Sequence, residues 1–104
     1  MIKNKSIYLL VCLIEECAEV VQSACKAIRF GLEDNRPGAA TTNSEDIIQE
    51  FQEVTAITQM LQADGSLPFP TNVSGVIDAK CAKVERYMEL SRLNGMLGDT
   101  DVGC

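Results

Sequence analysis

The fold of this 104-residue chain is decided by the stretch Asn4–Phe30, NKSIYLLVCLIEECAEVVQSACKAIRF, which contains neither proline nor glycine. Its apolar residues recur at alternating steps of three and four, the spacing of one face of an α-helix. The members of this first apolar line are Ile7, Leu10, Ile14, Cys17, Val21, Ala24 and Ile28. Gly31 follows at once, and glycine suits the left-handed conformation that ends many helices. The stretch therefore predicts one long helix over about residues 4–30.

The chain after this helix continues as a loop and a second helix. Residues 32–43 are small and polar and contain a Pro-Gly pair, which predicts a loop. The consecutive residues Thr42-Asn43-Ser44 all have side chains that suit the N-cap of a helix, and two acids follow in the first turn. We therefore predict a second helix over about residues 44–63.

A third helix is predicted in the last part of the chain. Residues 64–70, DGSLPFP, end the second helix and form a rigid connector. Ser74 is the expected N-cap of a helix over about residues 75–94, which Gly95 ends. The glycine-containing remainder, residues 96–104, predicts a flexible tail.

Length and composition indicate one all-α domain over residues 1–104, a bundle of three main helices. The first helix has 27 residues and would be about 40 Å long, whereas a domain of this size has a radius of gyration of about 13 Å. Such a helix extends beyond its own domain. We therefore expect oligomerisation to complete the core, as a homodimer or a dimer of dimers.

Charge and residue usage exclude several classes of function. The net charge of −6 opposes a groove for a polynucleotide, so we expect no nucleic-acid partner. The absence of histidine excludes Ser-His and Cys-His nucleophiles. The five cysteines match no zinc spacing and are interpreted as reduced, mostly small core residues. If the chain is an enzyme, carboxylates and a metal ion must supply the chemistry.

The N-terminal apolar run resembles a secretory leader because Lys3 and Lys5 precede it. Glu15-Glu16 follows directly, however, and the helical spacing continues past these charges to Ile28. The run is also too short to span a bilayer. The expectation is therefore a cytoplasmic protein with no membrane partner.

Two carboxylates interrupt apolar lines. Glu16 interrupts a second apolar line on the first helix, formed by Leu9, Leu13, Val20 and Ala27. Glu50 does the same on the second helix, within the line Ile47, Val54, Ile57 and Leu61. An ionised carboxylate that leaves water without a partner costs on the order of several kcal/mol. Each of these two positions therefore requires a compensating group.

A divalent cation is the compensating group that the spacing favours. Glu19 follows Glu16 by one helical turn, and Glu53 follows Glu50 by one turn, so antiparallel helices would bring four carboxylates together. Mg²⁺ prefers such oxygen ligands and is commonly shared with substrate phosphates, and Mn²⁺ is a substitute. The alternative is a solvated acidic face that holds no ion.

Four basic residues are candidate phosphate ligands. Lys26 lies two turns beyond Glu19, and Arg29 lies three residues further along the same helix. Their alternative role is to interact with the negative end of the helix dipole. Lys80 and Lys83 on the third helix offer similar side chains.

The acidic segments Glu15-Glu16-Cys17-Ala18-Glu19 and Glu50-Phe51-Gln52-Glu53 resemble the EExxE…ExxD signature of the MazG-like, all-α nucleoside triphosphate pyrophosphohydrolases. Residues 26–32 and 80–87 are similar to the short phage-type members of that superfamily. The chain departs from the signature at its last position, where Glu53 stands in place of the usual aspartate.

This resemblance implies a dimeric or tetrameric enzyme that hydrolyses (deoxy)nucleoside triphosphates to a monophosphate and pyrophosphate. Glu16, Glu19, Glu50 and Glu53 would hold Mg²⁺. Glu15 is the catalytic candidate that would orient or deprotonate the attacking water. Lys26 and Arg29, with Lys80 and Lys83, would bind the substrate.

Two other functions are consistent with the same residues. The chain could be a non-catalytic helical module that uses its apolar lines for oligomerisation. It could also bind nucleotides without hydrolysing them. Base selectivity would depend on side chains of the loop 32–43 or of a neighbouring subunit, with Phe30 and Tyr87 as stacking residues.

Overall fold

The computed structural model describes residues 4–35 and 37–98, which contain three α-helices and no strand. The helices are α1 (Asn4–Phe30), α2 (Asn43–Ala63) and α3 (Val73–Leu93). These elements confirm the predicted all-α class, and each bound lies within two residues of its prediction. Most of the predicted tail, as well as Lys3 and Cys104, lies outside the described residues.

The helices belong to two compact units. The first contains α1 and α2 and ends at Phe69, and the second begins at Pro70 and contains α3. In the described part of the chain, none of the helices has the combination of length and apolar character that a transmembrane segment needs. The predictions of a single domain and of a MazG-like bundle stay predictions.

Local hydrogen bonds explain where the helices begin and end. The backbone N–H of Glu45 donates to Thr42 Oγ1 at 3.2 Å, and the Thr42 N–H donates to Glu45 Oε1 at 3.0 Å. This capping box identifies Thr42 as the N-cap of α2. Gly31 and Gly95 follow α1 and α3 with φ angles of 99° and 74°, as predicted for residues that end helices.

The prediction that Ser74 is the N-cap of α3 was wrong. Asn72 occupies the N-cap position, although its side chain makes no capping hydrogen bond. The N–H of Val76 already donates to the backbone carbonyl of Asn72 at 3.1 Å, so Ser74 lies inside the first turn. Asparagine and serine suit an N-cap about equally, so backbone pairing and not residue type sets this start.

The face of α1 that packs on α2 is the second apolar line, which contains Glu16. Leu9 and Ala27 of this line are buried, as is Leu61 of α2. The first apolar line remains open to solvent, with Ile14 67% and Ile28 85% exposed. The tightest packing in this unit therefore lies along the line that carries the misplaced carboxylate.

The cysteines do not form the expected core. Cys12 is half-buried, whereas Cys17, Cys25 and Cys81 are exposed, and all four are free thiols. Cys17 belongs to the first apolar line, which does not face α2. The prediction that most cysteines are small core residues was therefore wrong.

Polar contacts tie α1 and α2 together at both ends of the pair. The buried Ser6 hydroxyl donates to Asp64 Oδ2 at 3.1 Å and shares a hydrogen bond of 2.7 Å with the Ser66 hydroxyl. At the opposite end, Asn43 Nδ2 donates to the carbonyl oxygen of Gly31 at 2.8 Å. These two ties set an antiparallel pair in one register.

Leu61 offers a test of this packing. We expect Leu61→Ala to lower the free energy of unfolding by about 2–5 kcal/mol, because the side chain is fully buried and its removal leaves a cavity. The neighbouring Met60 is 48% exposed, so Met60→Ala should change stability by less than about 0.5 kcal/mol. Urea unfolding followed by circular dichroism measures both, and equal losses would contradict the assigned core.

Candidate metal centre and adjoining cavities

Three carboxylates meet at the interface between α1 and α2. One carboxylate oxygen from each of Glu16, Glu50 and Glu53 lies within 4.8 Å of the other two. Glu50 and Glu53 stand one turn apart on α2 and therefore project from the same side of that helix. Glu16 faces them because the second apolar line of α1 packs against α2. We call these three residues the acidic cluster.

The acidic cluster has no compensating cation among residues 4–35 and 37–98. The only ion pair there joins Arg92 to Glu89 on α3. Oε2 of Glu16 and Oε2 of Glu50 are buried and make no hydrogen bond. Burial raises the pKa of both carboxyl groups, and the adjacent Glu53 and then Glu19 raise it further. The carboxylates of the acidic cluster therefore need either a cation or added protons to neutralise their charge.

A hard divalent cation fits this donor set. Mg²⁺ binds oxygen at about 2.0–2.1 Å, so two of its ligand oxygens lie at most about 4.2 Å apart. The oxygens of the acidic cluster are already close to that separation. A bound ion would neutralise Glu16 and Glu50, whose buried Oε2 atoms make no hydrogen bond. Carboxylate oxygens favour Mg²⁺ or Mn²⁺ over metals that prefer sulfur.

The other two predicted acids of helix α1 lie beside the acidic cluster. Glu19 is exposed and lines an adjoining cavity with Glu50, although it does not join the three converging oxygens. Glu15 is exposed and lies outside the cluster. Both are close enough to Glu16 for their charges to raise its pKa. The predicted set of four ligands therefore appears as three converging carboxylates and one on the rim.

The cavity beside Glu19 and Glu50 has mostly polar walls and a volume of about 270 Å³. Lys26 and the deeply buried Asn43 also line it. We call it the polar cavity. Lys26 and the edge of the acidic cluster thus line one space. Such a space suits an anion that binds Lys26 and shares a cation with the acidic cluster.

A second cavity of about 160 Å³ lies between the end of α1 and the loop that follows it. Its walls include Lys26 and Asn43, which also line the polar cavity. The remaining lining residues are Phe30, Asp34, Asn35 and Pro37. We call it the loop cavity. Since two residues line both, the cavities are neighbours.

The structure places the other predicted cations differently. Arg29 is exposed at the end of α1, with its guanidinium carbon 5.1 Å from the ring centroid of Phe30, and it lines neither cavity. Lys80 and Lys83 belong to α3 in the second unit, where Lys83 Nζ lies 5.9 Å from the ring centroid of Tyr87. Among the predicted phosphate ligands, only Lys26 lines the polar cavity.

The sequence predicts Asn43 only as a helix cap, but this residue lines both cavities. Its side chain is 6% exposed and donates to Gly31, and its N–H donates to the carbonyl oxygen of Asp34 at 2.9 Å. The sequence signal for this role is weak, because Asn43 is one of three consecutive polar residues before α2. Its burial depends on contacts with residues on the far side of the loop.

No family model, curated protein or solved structure matches the chain. A function must therefore be inferred from the structure itself. The observations are the geometry of the acidic cluster, the raised pKa values of Glu16 and Glu50, and the two cavities that Lys26 and Asn43 both line. The likeness to the EExxE…ExxD signature remains a resemblance of motifs.

The raised pKa values predict how stability depends on pH in the absence of metal. Folded-state pKa values of Glu16 and Glu50 above the ordinary 4.5 mean that the folded chain binds protons more tightly than the unfolded chain. The resulting stabilisation is complete below pH 4.5 and is lost as pH rises through the folded-state values. With EDTA present, wild-type protein should therefore unfold at a lower temperature at pH 7.5 than at about pH 5.5.

Glu50→Gln should reduce this pH dependence and raise the melting temperature at pH 7.5, because it removes one charge from the acidic cluster. Glu33→Gln is the matched control, since Glu33 is an exposed acid of the loop and should leave the dependence unchanged. The pKa of Asp64 is lowered from 3.8 by its hydrogen bonds to Ser66, so this group acts only at lower pH. Equal pH profiles for wild type and Glu50→Gln would refute the assignment.

Proposed function

We propose that the chain is a Mg²⁺-dependent nucleoside triphosphate pyrophosphohydrolase of the cytoplasm, which converts a (d)NTP to a (d)NMP and pyrophosphate. The observation that carries this proposal is the convergence of Glu16, Glu50 and Glu53, with two buried carboxylate oxygens that have no partner. The resemblance of these same residues to the MazG-like signature supports the reaction class.

In this proposal the acidic cluster holds Mg²⁺, Glu19 completes the ligand set from the rim of the polar cavity, and Mn²⁺ is a substitute. When bound, the ion would polarise phosphoryl oxygens and lower the pKa of a bound water. The long Glu53 side chain keeps a carboxylate at the position where the resembling family has aspartate. The role of Glu15 is to orient the attacking water or accept its proton.

Lys26 is the residue of this chain that is best placed to bind phosphate. Lys26 lines the polar cavity together with Glu19 and Glu50. A chain with a net charge of −6 repels a triphosphate, so local positive charge is needed where the anion binds. Lys26 would neutralise phosphate oxygens and orient the triphosphate toward the acidic cluster. The predicted roles of Arg29, Lys80 and Lys83 in substrate binding stay predictions.

A second copy of the chain is the proposed partner of α1. The first apolar line leaves Ile14, Val21 and Ile28 more than half exposed along a helix about 40 Å long. Exposed apolar residues in an unbroken line at helical spacing are typical of a helix that packs against another helix. We infer a homodimer or a dimer of dimers in which this line is buried.

Hydrolysis that requires the acidic cluster is the main test of the proposal. Purified protein with Mg²⁺ should release pyrophosphate from at least one nucleotide in a panel of NTPs and dNTPs. Glu50→Gln should reduce kcat/KM by about a hundredfold or more, since a catalytic metal ion supplies several kcal/mol of transition-state stabilisation. Pyrophosphate and monophosphate are quantified together by ion-exchange chromatography.

Glu53 provides a matched pair of controls. Glu53→Asp keeps the carboxylate and introduces the residue of the resembling signature, so metal-dependent hydrolysis should persist. Glu53→Gln removes the ligand charge and should abolish it. Activity that is unchanged by EDTA would contradict the proposal. Metal binding without turnover of any nucleotide would instead favour the nucleotide-binding reading.

The proposed dimer is tested by sedimentation equilibrium. Wild-type protein should sediment as a dimer or tetramer of the 11.3 kDa chain. Ile14→Glu should shift it toward the monomer, because the substitution places a charge in the middle of the first apolar line. A wild-type monomer at micromolar concentration would refute the assignment of this surface.

A further inference from the structure

We propose that the loop cavity binds the nucleobase of the substrate and selects bases that carry an exocyclic amino group. This inference rests on the proposed function, because it names the substrate class of the same site. It predicts that adenine, cytosine and guanine nucleotides are favoured over those of uracil and thymine.

The position of the loop cavity suits the base of a nucleotide whose phosphates occupy the polar cavity. Lys26 and Asn43 line both spaces, so one extended ligand can occupy them in succession. The volumes of about 270 Å³ and about 160 Å³ together fall in the range of about 300–1,000 Å³ that is typical of small-molecule sites. The acidic cluster lies at the phosphate end of this ligand, because Glu50 lines the polar cavity and not the loop cavity.

The apolar walls of the loop cavity suit the flat faces of a base. Phe30 and Pro37 contribute apolar surface to the loop cavity. Phe30 is 60% exposed, so its ring is accessible to a ligand. The guanidinium of Arg29 approaches the Phe30 ring at 5.1 Å, which helps to hold the ring in place. Stacking on an aromatic ring is available to every base, so these walls bind without selecting.

The carboxylate of Asp34 supplies the selection, because it is the only acidic group that lines the loop cavity in the described part of the chain, whereas the Lys26 ammonium is assigned to the phosphates. No described residue donates a hydrogen bond to the carboxylate of Asp34, which is acceptor-only when ionised. The Nδ2 groups of Asn35 and Asn43 donate to the carbonyl oxygens of Thr41 at 3.0 Å and Gly31 at 2.8 Å. Each amide also has the acceptor Oδ1 and a second N–H, so Asn35 and Asn43 can bind either kind of base group.

The acceptor Asp34 in the wall of the loop cavity favours a base that carries a hydrogen-bond donor. Adenine, cytosine and guanine each carry an amino group at N6, N4 and N2, which can donate to a carboxylate. Uracil and thymine have a single N–H donor between two carbonyl oxygens, and these oxygens would face the negative charge of Asp34. The contact with Asp34 therefore favours the amino-bearing bases.

The experiment measures binding separately from turnover. Isothermal titration calorimetry with Mg²⁺ compares α,β-methylene analogues of dATP, dCTP, dGTP, dUTP and dTTP, in which the bond to be cleaved is replaced. Amino-bearing analogues should bind to wild type at least about tenfold more tightly than the other two, the size of one hydrogen bond. Asp34→Asn should remove most of this difference, because the amide can also donate to a base carbonyl.

Glu33→Gln is the matched control, since it removes the same charge from the adjacent residue, which does not line the loop cavity. It should preserve the ranking of the bases. Circular dichroism checks that Asp34→Asn folds, and the ranking measured on wild type tests the inference without any variant.

Three results would overturn the inference. Equal affinities for all five analogues on wild type, or a ranking that Asp34→Asn leaves intact, would refute it while hydrolysis still supports the proposed function. If no analogue binds and no nucleotide is hydrolysed, the proposed function fails and the inference fails with it.

Discussion

The packing of α1 on α2 along the second apolar line is the constraint on which the rest of the structure depends. Leu9 and Ala27 leave water only if this face of α1 turns toward α2, and Glu16 lies between them on the same face. Hydrophobic burial therefore holds Glu16 against Glu50 and Glu53 despite their mutual repulsion. The raised pKa values of Glu16 and Glu50 show that this arrangement disfavours their ionised forms. A bound cation would favour the ionised forms instead.

The cavities follow from the same pairing and from the turn that reverses the chain. Asn43 joins the first turn of α2 to the end of α1 through its bonds to Gly31 and Asp34. This places Lys26 between the acidic cluster and the loop cavity. A cation, a phosphate ligand and an apolar slot thus lie in order along one edge of a helix pair, an arrangement suited to a nucleotide.

The helices were predictable because their apolar spacing and glycine stops are local properties of the chain. The acids Glu16 and Glu50 were also recognisable, since each interrupts an apolar line. Spacing alone does not identify the face of α1 that packs on α2, because both apolar lines of that helix have helical spacing, and only Glu16 within the second line indicates it. The role of Asn43 was missed for a similar reason, since its burial arises from bonds across the loop. Likewise, Ser74 has the right chemistry for an N-cap, but backbone hydrogen bonding starts at Asn72.

The ties at the two ends of the helix pair have a consequence for the acidic cluster. Packed helices can move past each other by as much as one turn, which advances a residue by about 5.4 Å along the axis. Glu50 and Glu53 are themselves one turn apart on α2, so a slip of one turn would leave only one of them opposite Glu16 and would remove the third oxygen from the acidic cluster. The bonds of Ser6 at one end and of Asn43 at the other thus fix the one register in which all three carboxylates can reach a single ion.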